Sequence, residues 1–131
     1  TATQLALSHM SQENLRLKSL QTRFIEGIFQ KCGSDVIQLN GHPTQRLPNN
    51  VSFSLPGISA DVFALDLSGL ALSSGSACTS GSPYPSHVLK AMGHSDELAQ
   101  NTLRFGLGHG TTEAHIDLAI EKVSQMIKKY L

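Results

Sequence analysis

At 131 residues, 40% of them hydrophobic, the chain has material for one core and is short for two. Ten basic and ten acidic side chains cancel, and Lys and Arg are scattered, so neither nucleic acid nor an anionic membrane is an expected partner. No run approaches the ~18–20 apolar residues that span a bilayer, residues 1–10 lack a secretory pattern, and Cys32 and Cys78 are too few for a disulfide scaffold, so a cytoplasmic domain is expected.

Leu5, Met10, Leu17, Leu20, Phe24 and Ile28 recur at roughly helical spacing, with Gln12, Glu13, Arg16 and Arg23 between them. They predict one long amphipathic helix, stopped by Gly33. A short strand follows at Val36–Leu39, then an Asn40-Gly41 turn. Pro43, Pro48 and Pro56 argue against helix in the next segments. Between them Val51 to Leu55 alternates apolar and polar residues, the pattern of a half-buried strand. Ser59 caps a helix from Ala60 to about Ser68, which Gly69 ends. Leu70 to Leu72, a brief apolar run, stands as a strand in this order and leads into a loop of small residues. Pro85 and Ser86 open a short helix through Met92, closed by Gly93. Thr102 to Leu107 alternates again, with Leu103, Phe105 and Leu107 on one face and Arg104 on the other. Thr111 or Thr112 caps the last helix, whose apolar stripe is Ile116, Ala119, Ile120, Val123, Ile127 and Tyr130. This order predicts an α+β domain, with helices packed on one face of a small, mainly antiparallel sheet.

Residues 73–82 read Ser-Ser-Gly-Ser-Ala-Cys-Thr-Ser-Gly-Ser. So little apolar surface predicts an exposed and mobile loop. Its composition leaves Cys78 open to two readings, a reactive thiol or an ordinary surface one. Cys32, beside Lys31 and Gly33 near a helix end, reads as a packing residue or an incidental surface thiol. Arg104 has the planar fork that grips a carboxylate, though a solvent-facing strand arginine is the plainer reading. The six histidines show no paired metal-ligand spacing and no CxxC is present, so no metal site is expected; His109, between two glycines, could line a site, with a turn residue the plainer reading.

Taken together, several ordered motifs carry more than any one of them. They are Ser73 to Ser80 (SSGSACTS), Pro85 to Gly93 (PSHVLKAMG), Leu103 to Gly108 (LRFGLG), Asn40 to Pro43 (NGHP), Arg46 to Phe53 (RLPNNVSF) and Thr111 to Asp117. In this the chain resembles the cysteine desulfurases, fold-type I pyridoxal-phosphate enzymes of the class V aminotransferase group, and among them those with a long cysteine-bearing loop. The resemblance implies the C-terminal small domain, with residues 1–33 as the inter-domain helix, 34–131 as the α+β body and the mobile loop at about 73–85.

It also implies a chemistry. L-cysteine would be converted to L-alanine, and its sulfur would pass to Cys78 as a persulfide for iron–sulfur cluster assembly and other sulfur transfer. Arg104 would bind the substrate carboxylate. The expected partners are a sulfur-acceptor or iron–sulfur scaffold protein, and a second copy in the full-length homodimer. The family's large domain, roughly another 250 residues, supplies the lysine that holds pyridoxal phosphate. None of Lys18, Lys31, Lys90, Lys122, Lys128 and Lys129 stands in that lysine's sequence context. This chain alone is therefore expected to bind no pyridoxal phosphate and to show no desulfurase activity. An alternative is a stand-alone persulfide relay or scaffold-binding module.

Overall fold

Thr1 begins the first helix as its cap, accepting a hydrogen bond from the Gln4 amide while the Gln4 side chain reaches back. In the computed structural model, which describes residues 1–67, 69–74 and 84–131, this helix is α1, Ala2–Cys32. Gly33 ends it with a positive φ of 84°, a conformation that side chains strain against. There follow β1 (Gln38–Leu39), β2 (Asn50–Ser54), α2 (Ala60–Asp66), β3 (Ser73–Ser74), α3 (His87–Ala91), α4 (Asp96–Gln100), β4 (Thr102–Gly106) and α5 (Glu113–Tyr130).

The strands form one antiparallel sheet in the order β1-β2-β4-β3. Alternation along β2 and β4 sorts their side chains between its two faces. Val51 pairs with Phe105 and Phe53 with Leu103, and all four are buried. Phe24 of α1 lies edge-on to both Phe53 and Phe105, with centroids 6.0 and 5.0 Å away. Ile116, Ala119, Ile120, Val123 and Ile127 of α5 complete this core. Phe63 of α2 joins it, its ring 6.1 Å from that of Tyr130. At Gly27 the two long helices approach so closely that a methyl group would overlap Ile120.

The expected α+β architecture is therefore present, with α1 and α5 on one face of the sheet. Several details differ. Leu5 and Met10 were expected in the buried stripe, but they are 63% and 51% exposed, and burial along α1 begins at Leu17. The strand expected at 36–39 is confined to Gln38–Leu39, and α2 stops at Asp66, Ser68 lying outside the described residues. Ser59 stands at the cap of α2 without a side-chain hydrogen bond. The strand expected from Leu70–Leu72 forms instead as β3 at Ser73–Ser74, the first two residues expected in the loop, and α4 was not anticipated.

Ion pairs tie α5 to its neighbours. Arg23 of α1 holds Asp117 by two hydrogen bonds of 2.7 and 2.9 Å, and Lys31 holds Glu121. Lys129 and the Tyr130 hydroxyl donate to Asp66 of α2 at 2.7 and 2.8 Å. The hydrogen bonds from Arg23, Lys31 and Lys129 hold these three carboxyls below their ordinary pKa. A carboxyl depressed by folding contributes stability that is complete above its unfolded pKa and is lost as pH falls through the folded value. The melting temperature should thus be level near neutrality and decline as pH drops below about 4.5. Since the pairs are exposed, about 1 M salt should shrink that decline. A melting temperature that is unchanged by pH over this range in low salt would refute the assignment.

Candidate functional site

The sheet face turned away from α1 and α5 carries a polar pattern. Ser52 pairs across the sheet with Arg104, and Ser54 with Thr102. Asn40, Ser54 and Thr102 are buried on this side and satisfied in series. The Asn40 amide donates to Ser52 Oγ (3.1 Å) and Ser54 Oγ (2.9 Å). Ser54 Oγ and Thr102 Oγ1 lie 2.7 Å apart, and Thr102 donates to the Leu98 carbonyl of α4 at 3.0 Å. With Ser54 donating to Thr102, the hydroxyl protons of Ser54 and Thr102 both have acceptors. The series fixes β1, β2, β4 and the end of α4 against one another.

A cavity of about 340 Å³ lies over this face. Ser52, Thr102 and Arg104 line it from the sheet, Val88 and Leu89 from α3 with Met92 just past its end, and Arg46 and Leu47 from the β1–β2 connection. That connection is held at two points. His42 Nδ1 accepts from the Thr44 and Gln45 amides at 3.2 and 2.9 Å, shaping the turn before Arg46. Buried Gln21 of α1 donates to the carbonyls of Leu47 and Asn50 at 2.7 and 2.8 Å, securing the stretch after it. Arg46 is half-buried, and its Nε and Nη1 are closed off from solvent and meet no hydrogen-bond acceptor among the described residues. Burial pushes the Arg46 guanidinium pKa down.

Arg104 projects from β4 on the face opposite Leu103 and Phe105, as its position in the alternation implied, and its side chain is exposed. Its strand partners are Ser52 on one side and Ser73 on the other, both too small to cover it. The start of the small-residue motif thus runs beside Arg104, since Ser73 and Ser74 pair with Arg104 and Leu103. Cys78 and the rest of the loop through residue 83 lie outside the described residues. Cys32 is a free, half-buried thiol packed against the core, and burial raises its pKa, which disfavours the reactive thiolate.

After β4, residues 108–111 turn back toward α1, where Arg16 grips them. Its Nη1 donates to the Thr111 carbonyl at 2.6 Å, and its Nη2 to those of Gly108 and His109 at 3.0 and 3.1 Å. Glu13 steadies that guanidinium through bonds of 2.8 and 2.7 Å. His109 is fully exposed in the turn, 3.7 Å from Glu13, and does not line the cavity. Among the described residues no group of three His, Cys, Asp or Glu is placed to hold a metal ion, and no helix is long and apolar enough to cross a membrane.

Pyridoxal phosphate needs a lysine for its Schiff base. Among the described residues no lysine lines the cavity. Lys31, Lys90 and Lys129 are instead paired at the surface with Glu121, Asp96 and Asp66. The described residues do not fit that cofactor. Arg46, Asn40 and Gln21 went unrecognised as parts of a site. Arg46 lies in a motif that carried the resemblance, but nothing local to it signals its burial.

Comparison with known proteins agrees with the motifs. The chain is 41% identical over 128 residues to cysteine desulfurase IscS of Pseudomonas aeruginosa, an alignment covering 98% of this chain and 31% of that protein. The desulfurase of the same name in Pseudomonas fluorescens is 40% identical over the same shares. The chain spans about a third of the length of these curated relatives. Among solved structures, a NifS-like protein from Rickettsia africae superposes with a TM-score of 0.79 at 25% identity, over 95% of this chain and 31% of that one. A second NifS-like protein gives a TM-score of 0.77 at 24% identity, over 97% of this chain and 31% of its own, a likeness of fold. No family model matches the chain.

Proposed function

This chain corresponds in sequence to part of the cysteine desulfurases, and on that premise we propose that it supplies the sulfur-accepting cysteine, Cys78, and the carboxylate-binding arginine, Arg104, of such an enzyme. The observation that carries this reading is the pairing of Ser73 with Arg104 on adjacent strands. It brings the start of the cysteine motif beside the one strand residue whose side chain is suited to an amino-acid carboxylate. Arg104 gives that carboxylate a donor pair at the mouth of a cavity large enough for a small amino acid.

The net reaction balances as cysteine plus the Cys78 thiol going to alanine plus the Cys78 persulfide. The carbon–sulfur bond of the substrate breaks, a sulfur–sulfur bond forms on Cys78, and the carbon takes up a proton. Breaking that bond needs an electron sink, for which the described residues provide no anchor. The role of this chain is therefore sulfur acceptance and substrate orientation. The persulfide would then pass to a sulfur-acceptor or iron–sulfur scaffold protein.

The test is to supply the full-length gene product with pyridoxal phosphate and L-cysteine and to measure alanine and protein-bound persulfide. Alanine should appear, with persulfide on Cys78. Persulfide acquired only from an added persulfide donor, without alanine, would favour a relay module instead. Neither product would end both readings.

A further inference from the structure

Among the described residues, half-buried Arg46 is the one whose buried side-chain nitrogens lack a hydrogen-bond partner. A guanidinium is always charged under ordinary conditions, and removing it from water is unfavourable unless an acceptor replaces the lost hydration. Arg46 has been removed from water at Nε and Nη1 without any such acceptor. Its position is not slack, because His42 and Gln21 fix the chain on either side of it. The described lining of the cavity contains a second guanidinium, Arg104, and no Asp or Glu. Nor do residues 75–83, the sequence next to β3, contain an Asp or Glu. The described lining thus gathers two cations and no anion, beside an apolar wall of Val88, Leu89 and Met92.

We propose that Arg46 is a second carboxylate-binding residue of this cavity, acting with Arg104 on a small aliphatic carboxylate whose body lies against α3. The proposal rests on the reading of Arg104 given above and extends it. A charged acceptor would complete the buried nitrogens by charge-assisted hydrogen bonds, and the apolar wall favours an aliphatic acid over a bare inorganic anion. Arg46 is then the fixed member of the pair, held by the β1–β2 connection, and Arg104 the exposed one at the entrance.

The test uses the 131-residue chain, with sodium propanoate as probe and propanamide, equal in shape but uncharged, as control. Nitrogen–proton NMR of the arginine Nε–H groups should show the Arg46 signal moving with propanoate and not with propanamide. Arg46→Met should weaken propanoate binding about tenfold or more. It should also raise the melting temperature of the ligand-free chain, because an uncompensated buried charge has gone. A merely structural arginine would lower it. If Arg46→Met does not fold, Arg46→Lys, which keeps the charge but loses the fork, should still bind more weakly than the parent.

Arg104→Gln separates this proposal from the one beneath it. Loss of binding in Arg104→Gln but not in the Arg46 variants overturns the role of Arg46 and leaves that of Arg104 standing. The reverse result keeps Arg46 and removes Arg104. No movement of the Arg46 signal at saturating propanoate overturns the proposal, as does an equal response to sodium phosphate at matched ionic strength.

Discussion

Phe53→Ala should remove a large part of the stability of this domain. Phe53 is 1% exposed and lies at the meeting of three elements, with Phe24 and Phe29 of α1 each at 6.0 Å and Phe105 of β4 at 6.4 Å. Truncating a fully buried Phe costs about 3–5 kcal/mol, through lost transfer energy and the cavity left behind. Domains of ordinary stability have only about 5–15 kcal/mol in total. Relaxation is restricted here, since β2 is paired on both sides and the facing rings belong to elements held elsewhere. Urea denaturation should show a midpoint far below that of the parent with an unchanged slope. Leu65→Ala, at a residue 83% exposed, should stay within about 0.5 kcal/mol of the parent. A loss under about 1 kcal/mol at Phe53 would mean that the rings do not form the centre of the core.

The elements legible in the sequence are those whose pattern is satisfied locally. Five of the six residues expected in the stripe of α5 are buried, because that helix lies along α1 and the sheet for much of its length. The stripe of α1 was legible only in its second half. With 31 residues against 18, α1 is about 46 Å long and α5 about 27 Å. Its first turns outrun the partner, so periodicity there reports helix and not burial. β3 is two residues long and exists because β4 offers a free edge, which no local pattern announces. α4 buries only Ala99, too little to make a stripe.

The site divides in the same way. Arg104 was legible because strand alternation assigns a face from neighbours one residue away. Arg46 was not, since its burial follows from Gln21, 25 positions earlier, and from a turn shaped by the His42 ring. The sequence around Arg46 reads as a proline-flanked loop, and loops are expected to be wet. What distinguishes this loop is the pair of long-range hydrogen bonds from Gln21 to the Leu47 and Asn50 carbonyls. Cys78 was singled out on chemistry and motif alone.

Replacing Cys78 should have the largest functional effect, and its comparison with Arg104 should separate chemistry from binding. In the full-length gene product, Cys78→Ser should form no persulfide and should lose turnover of L-cysteine. A serine hydroxyl is a far weaker nucleophile toward sulfur than a thiolate near neutral pH. Cys32 cannot take over, because burial raises its pKa and it is packed beneath the far face of the sheet. Cys32→Ser should accordingly leave turnover unchanged. Arg104→Lys keeps the charge but loses the two parallel hydrogen bonds to a carboxylate. Charge-assisted bonds of that kind contribute about 1.5–3 kcal/mol, so KM for L-cysteine should rise about 10- to 100-fold, with persulfide still forming at saturation. Alanine counted against protein-bound sulfur distinguishes the two cases. Undiminished turnover in Cys78→Ser would move the nucleophile to another residue, and an unchanged KM in Arg104→Lys would return Arg104 to the role of a solvent-facing strand residue.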